Sequence, residues 1–300
     1  MSNNSFCSVT VWYNPDASCV ANIRTYSAFC KKCYIVDNSN GDNSVLAAKI
    51  PNSVYIPNSC NLGIAAALNI GCQKALNDGF ELCMTMDQDS SWSEDQLSLY
   101  FNLCKENVSE KNVSFCPSAV YKNPRSFLGV ARRCLTSPVK ALFKRSACRH
   151  DDLDKPSNAN VDVCITSGNV ISLAAWDKVG RFYEPFFIDE VDHEFCFRLK
   201  ENGFEIMKFE NCVMNHVLGT PRMTFYPCSS FHKKERLYYI FRNMLYEAEL
   251  HPSFFKKYLY SKLLRHRVKE LVFNFRFAEL YYLIKAYRDY KRRKFGKFGV

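Results

Sequence analysis

The sequence predicts an α/β protein built on a doubly wound, mainly parallel sheet, and three observations predict it. Short apolar runs alternate with amphipathic stretches from Phe6 to Met86. Turn-forming clusters, Asn14-Pro15 and Asp37-Asn38-Ser39-Asn40-Gly41, punctuate those runs. The fourth run, Leu82 to Met86, ends abruptly in two carboxylates, Asp87 and Asp89. Strand ends in open α/β sheets are where ligands bind.

Phe6 to Tyr13 is a buried strand, with Val9, Val11 and Trp12 inside. Asp16 caps a helix that runs to about Phe29, placing Val20, Ile23 and Phe29 inward. Tyr34-Ile35-Val36 is a second strand and Val54-Tyr55-Ile56 a third. Gly63 to Leu76 is an alanine-rich helix, and Glu81 to Met86 is the fourth strand. That alternation implies strands laid side by side in one direction. Asp95 to Asn107 is a further helix, and Ser114 to Val120 a strand. Residues 121–160 are basic, polar and weakly periodic, as functional loops and mobile lids are. Val161 to Ser172 is extended, with Gly168 as a break. Leu173 to Val179 is a short helix ended by Gly180, and Val191 to Asn202 a helix stopped by Gly203. Glu205 to Phe209 is a strand, and His216 lies in another strand-like run.

Three hundred residues accommodate one large domain, or one domain with an appendage. A hydrophobic content of 47% excludes a disordered chain. The polar start, Met1 to Ser5, has no basic-then-apolar leader, and no apolar run approaches the ~18 residues of a membrane span. Fifteen cysteines are scattered through apolar runs, such as Cys83, Cys116, Cys164 and Cys196, and read as small hydrophobes. The expected location is the cytoplasm. Cys30-Lys31-Lys32-Cys33 has the spacing of a redox or zinc site but no second pair, and it reads as a helix end. Charge divides the chain: residues 231–300 carry 18 Lys/Arg against 6 Asp/Glu, while the first 230 carry 22 against 24.

Several residues could carry chemistry. Asp87 and Asp89, two apart on an extended chain, point the same way and suit Mg²⁺ or Mn²⁺ holding a phosphate; Asp-X-Asp also occurs in turns and helix caps. Asp37, directly after a strand, can accept from a base or ribose, or simply make a turn. Asn61-Leu62-Gly63 opens a helix whose exposed amides favour anions, or serves as an Asn cap. Asp189, Glu190, Asp192 and Glu194 interrupt an aromatic run. Asp189 is placed to cap the following helix, and a carboxylate there can act as a general base or complement the helix dipole. His216 can bring an imidazole to a divalent ion or sit hydrogen-bonded in a core. Arg242, inside the aromatic run Tyr238 to Phe241, suits a phosphate or an interhelix ion pair.

Taken in order, these motifs resemble a family 2 glycosyltransferase of the GT-A fold, in its rhamnosyltransferase-like branch. The resemblance runs from about Phe6 to Asn243. It is carried by the first strand to Asn14-Pro15, Val36-Asp37-Asn38-Ser39, Asn61-Leu62-Gly63-Ile64-Ala65, Asp87-Gln88-Asp89, Ser167-Gly168-Asn169, Asp189-Glu190-Val191-Asp192, His216 and Arg242-Asn243. It implies an inverting transfer of a sugar from a nucleotide diphosphate to a hydroxyl of a saccharide or lipid-linked saccharide, in cell-surface polysaccharide biosynthesis. The branch implies dTDP-rhamnose as donor, with a UDP-hexose as the alternative. Asn14, Asp37, Asn61, Gly63, Asp87 and Arg242 would bind the donor nucleotide, and Asp37 would meet its base. Asp87, Asp89 and His216 would hold Mn²⁺ or Mg²⁺. Gly168, Asn169 and Glu194 would line the sugar pocket. Asp192 would be the catalytic base. Val191 stands where the family's Glu usually is, so Asp189 and Glu190 are alternates.

The charge division separates residues 1–230, the expected catalytic domain, from 231–300, a basic, aromatic, helical extension. There, Phe254 to Tyr260 and Leu271 to Tyr287 present apolar stripes beside Lys and Arg, and Lys291-Arg292-Arg293-Lys294 is a basic cluster. Such helices lie on an anionic membrane surface or pack on a core with a solvated basic face. Two rival functions are a nucleic-acid binder, suggested by this charge, and a sugar-binding module without turnover. No nucleic acid is expected, because the acids at 87, 89 and 192 would repel phosphate in the absence of a metal.

Overall fold

The computed structural model describes residues 6–120, 158–216, 234–254, 269, 271–273 and 276–299. These fall into two compact units: residues 6–120, 158–216 and 295–299 form the first, and the remainder from 234 to 294 the second. The chain end therefore belongs with the first unit and not with the extension to which sequence assigns it. Within that unit Gly296 N–H donates to Pro185 O (2.9 Å), and Phe295 meets Tyr183 edge-on.

The first unit is a mixed sheet of nine strands flanked by helices. Its parallel half matches the sequence alternation. β1 (Cys7–Trp12) pairs with β2 (Lys32–Asp37) and β4 (Leu82–Asp87), and β2 pairs with β3 (Ser53–Pro57), all parallel. The crossover helices are α1 (Ala17–Ser27) and α3 (Ile64–Asn77), with the short α2 (Ser44–Ala47) before β3. Asp16 caps α1 as expected, accepting from Ser18 N–H and Cys19 N–H at 2.8 and 3.3 Å. β5 (Ser90–Ser91), α4 (Glu94–Asn107) and β6 (Asn112–Val120) follow.

In the second half the direction changes. β8 (Asn169–Ser172) runs antiparallel to both β4 and β6, then enters α5 (Leu173–Lys178). β9 (Glu205–His216), which follows α6 (Val191–Glu201), is parallel to β6 and antiparallel to β5 and to β7 (Asn158–Val161). Strand order is β3-β2-β1-β4-β8-β6-β9-β5, with β7 also on β9.

Three sequence expectations need amending. The stretch 121–160 lies outside the described residues up to 157, and its end is a strand, β7, not a loop. Its exposed-intermediate alternation at a sheet edge carries little apolar signal. β9 is one strand where sequence suggests two, because Glu210-Asn211 looks like a turn but lies at a register shift opposite Pro117-Ser118. Cys30-Lys31-Lys32-Cys33 joins the end of α1 to β2, with both sulfurs buried.

The core lies on both faces of the sheet: Trp12, Ile23, Tyr26, Ile35, Met84, Tyr100, Phe115 and Phe209 are fully buried in one cluster, while Val9 and Val36 are buried against Gly71 of α3 on the other face. Each such side chain removed from water contributes ~1.5–3 kcal/mol. All twelve described cysteines are free thiols, and eleven are buried, in keeping with their reading as small hydrophobes.

The second unit contains α7 (Lys234–Leu250) and α8 (Leu280–Lys291). Tyr238 hydroxyl donates to Asp289 (2.8 Å), and Tyr246 packs edge-on against Tyr290. Of the expected stretch Phe254 to Tyr260, residues 255–260 lie outside the described residues. No helix among the described residues is long and apolar enough to cross a membrane.

Candidate active site

β4 delivers Asp87 to the carboxyl end of the sheet, in register with Val11 of β1. Asp89 follows after one residue and is half exposed. Gln88 between them faces the end of β1: its Oε1 accepts from Tyr13 N–H (2.9 Å), and its carbonyl accepts from Asn22 Nδ2 (3.0 Å). The Asp-Gln-Asp turn is thereby fixed to the first strand.

His216 reaches this turn through the sheet. β5 pairs antiparallel with the end of β9, setting Ser90 opposite His216 and Ser91 opposite Asn215. Asp87, Asp89 and His216 consequently offer ligand atoms that all lie within 4.8 Å of one another. His216 Nδ1 is 2.5 Å from Ser90 Oγ and 3.6 Å from Asp89 Oδ1. Burial pushes the imidazole pKa down, against the upward pull of Asp89. Two carboxylates and a neutral imidazole form a donor set that fits a first-row divalent ion such as Mn²⁺.

Asp192 sits in the first turn of α6, and its Oδ2 accepts from Thr166 N–H (3.2 Å). The next residue, Ser167, accepts from Asp87 N–H at 3.3 Å. Asp192 and the paired acids thus meet across two consecutive residues. Glu190 faces His193 Nδ1 (2.9 Å), and Asp189 lies before it with φ +64°. Asp189 does not cap α6. The N-cap is Glu190, left-handed at φ 62°, with no side-chain cap. Phe187, Asp189 and Glu190 all have positive φ, a strained run immediately before the helix that carries Asp192.

On the other side of β1, Asp37 is buried at the end of β2. Its Oδ1 accepts from Ser39 N–H (2.9 Å), while Oδ2 accepts from Asn43 Nδ2 (2.7 Å) and Tyr55 OH (2.8 Å). Asn14 is exposed, with φ +49°, and its N–H donates to Ser39 Oγ. Asn61 Oδ1 accepts from Gly63 N–H (2.9 Å), making a turn rather than a helix cap; the N-cap of α3 is Gly63 itself. At the expected anion site the first helix amide, Ile64 N–H, donates to Phe187 O (2.6 Å). Gly63, at φ +89°, allows that approach: a Cβ would lie 2.5 Å from the same carbonyl.

The residues expected at the sugar pocket face inward. Asn169 Oδ1 accepts from Ser114 Oγ (2.8 Å), and Gly168 lies against Pro117 and Met214. Glu194 is buried and grips Arg198 through both carboxylate oxygens at 2.6 Å. Arg242 belongs to the second unit, buried over the Tyr238 and Tyr239 rings with Nε donating to Asn243. Sequence reasoning missed Gln88, Ser90, Thr85 and Thr166. Gln88 and Ser90 adjoin the Asp-X-Asp signal, whereas Thr85 and Thr166 carry no signal of their own.

The chain is similar to known proteins in sequence and in fold. Residues 17–145 match the family model described as Glycosyl transferase family 2. The chain is 26% identical over 250 residues to the dTDP-rhamnosyl transferase RfbF of Shigella flexneri, covering 80% of this chain and 79% of that protein. Its fold resembles GalNAc-T7, solved with UDP, GalNAc and Mn²⁺, at a TM-score of 0.56 and 13% identity, over 83% of this chain. It also resembles S. aureus TarS at a TM-score of 0.51 and 13% identity, over 79% of this chain. The chain spans only 48% and 38% of those two longer proteins. A TarS fragment, residues 1–349 in complex with UDP, matches at 0.51 with 65% of it covered. These structures share the GT-A architecture, a mixed sheet with flanking helices.

Proposed function

We propose that this chain, a family 2 glycosyltransferase of the rhamnosyltransferase-like kind, is an inverting, metal-dependent enzyme that moves rhamnose from dTDP-rhamnose to a saccharide hydroxyl. One observation carries the reading: Asp192 and the Asp87-Asp89-His216 set converge on adjacent residues of a single turn. An inverting transfer needs one base near the acceptor and a separate seat for the leaving diphosphate. Asp192 is the base. It takes the proton of the acceptor hydroxyl as that oxygen bonds to the anomeric carbon, on the face opposite the diphosphate. Such help is worth ~10²–10⁴-fold. Asp87, Asp89 and His216 would hold a divalent cation, which supplies charge neutralisation for the departing diphosphate. Asp37 recognises the base through Oδ1, which also accepts from Ser39 N–H. The acceptor is a saccharide or lipid-linked saccharide of cell-surface polysaccharide synthesis, met on the cytoplasmic side.

The face of α8 and its flanking residues support a peripheral membrane role: Phe277 just before the helix and Tyr281, Ile284 and Tyr287 on it are about half exposed, with Arg288, Lys291 and the following Arg292 exposed alongside. A UDP-hexose is the second donor reading, favoured by the UDP-bound neighbours. A thermal-shift panel of nucleotide sugars with and without Mn²⁺ separates the two. Selective, Mn²⁺-dependent stabilisation by dTDP-rhamnose is expected, and equal response to every sugar nucleotide would refute the donor assignment.

A further inference from the structure

Residues 166 to 169 form one β-turn. Asn169 N–H donates to Thr166 O (3.2 Å), and Gly168 occupies the third position with φ +79°, as a type II turn demands. Each corner has its own contact. Thr166 N–H donates to Asp192 Oδ2. Ser167 Oγ accepts from Asp87 N–H and donates to Ser90 Oγ (2.7 Å), which in turn meets His216 Nδ1. The whole turn is fastened to β4 by Thr85, whose Oγ1 donates to Thr166 O (2.6 Å) and whose carbonyl accepts from Gly168 N–H (2.9 Å). Tyr100 OH closes the other side, 2.7 Å from Gly168 O.

Thr85, Ser90 and Ser167 are fully buried. Buried hydroxyls are costly unless paired, and alanine or valine would fill the same space without that demand. Their hydrogen bonds run from the acid pair to the base, so packing alone does not account for them. A shift of Ser167 moves the adjoining Thr166 amide, which holds Asp192.

We propose that the Thr166–Asn169 turn, acting through Ser167, Ser90 and Thr85, is a positioning element that couples seating of the donor diphosphate to the orientation of Asp192. This rests on the function proposed above and adds residues to it. When a cation and diphosphate settle on Asp87, Asp89 and His216, the serine relay fixes Ser167. The Thr166 amide then presents the Asp192 carboxylate in one orientation.

The test uses Ser90→Ala and Ser167→Ala, singly and together, with Thr85→Val and its conservative control Thr85→Ser. Calorimetry measures Mn²⁺-dependent dTDP binding, steady-state kinetics give kcat and KM, and all assays run well below each variant's thermal midpoint. Each serine variant is expected to weaken dTDP binding by about tenfold and to lower kcat by a similar factor. The double variant should be no worse than the more severe single one, because one relay is broken once. Thr85→Val should lower kcat more than binding, and Thr85→Ser should recover most of it. Folded serine variants with normal binding and normal kcat would overturn the proposal, as would weakened binding with unchanged kcat or additive losses in the double variant. Wild-type protein without Mn²⁺-dependent dTDP binding would instead overturn the function on which the proposal rests.

Discussion

At the carboxyl ends of β1, β2 and β4 the buried groups are Asp37, Asn38 and Ser39, joined by Ser90, Ser167 and His216; at the amino ends of the same strands they are Cys7, Cys33 and Cys83. Cys30 and Cys72 lie among those thiols, and burial pushes Cys7 and Cys72 up, keeping them protonated. Phe6 stacks on Phe101 nearby, with ring centroids 3.9 Å apart. One end of the sheet therefore packs mainly thiols and aromatic rings, with the Ser8 hydroxyl buried among them. The other buries groups that must each find a hydrogen-bond partner. Retaining such groups in an interior is costly, and they are concentrated at the strand ends where open α/β sheets bind ligands, the end that carries the proposed site. Stability should respond to changes at the amino end, and turnover to changes at the carboxyl end.

That contrast can be broken by mutation. The largest effect is expected from Asp192→Asn, which should lower kcat by ~10²–10⁴-fold while leaving Mn²⁺-dependent dTDP binding within about threefold of wild type. A near-normal rate would move the base elsewhere. Next comes Phe101→Ala at the amino end. It should cost ~3–5 kcal/mol in urea unfolding, with dTDP affinity of the folded protein unchanged. If that variant lost affinity as much as stability, the two ends would not be separable. Asp87→Ala combined with Asp89→Ala should reduce Mn²⁺-dependent dTDP binding at least about tenfold, ~1.4 kcal/mol, with little change in thermal midpoint. Calorimetric affinity that stayed the same would remove the metal seat.

The smallest expected effect concerns Asp78, whose carboxylate is held below its usual pKa by Lys32, Tyr34 and Lys74. A depressed folded pKa means that its stabilisation is present above the unfolded value, about 3.9, and is lost as pH falls through the folded one. Asp78→Asn should flatten the acid limb of the melting-temperature profile slightly and leave turnover at neutral pH untouched. Profiles that run parallel below pH 4 would exclude this contribution.

Much of the parallel half was legible because its signals are local. A buried strand of four to six residues, a capped helix and a turn rich in Asn, Asp and Gly each declare themselves within a short window, as Asp16 and the Leu82–Asp87 strand do. The Asp87-Gln88-Asp89 motif was legible for the same reason. The direction of β8 was not, since Val161 to Ser172 reads as extended in either orientation. At the expected anion site by Gly63, one helix amide is taken by a long-range contact that no local pattern announces: Phe187, far along the chain, accepts from Ile64 N–H. Gly168 and Asn169 stand out in the sequence as part of a motif, and their side of the turn faces Met214, Pro117 and Ser114.

From the sequence alone came the α/β class, the order of the strands and the two long helices up to β4 (though not the short α2), the acid pair at its end and the basic character of the last seventy residues. Those follow from side-chain periodicity and turn chemistry, which act over a few residues. Only the tertiary structure decided that His216 lies beside Asp89, that Asp192 leans on Thr166, and that Ser167 links the two. Each depends on which strands pair, and pairing across more than a hundred residues, as between Ser90 and His216, is settled by burial of the whole sheet at once.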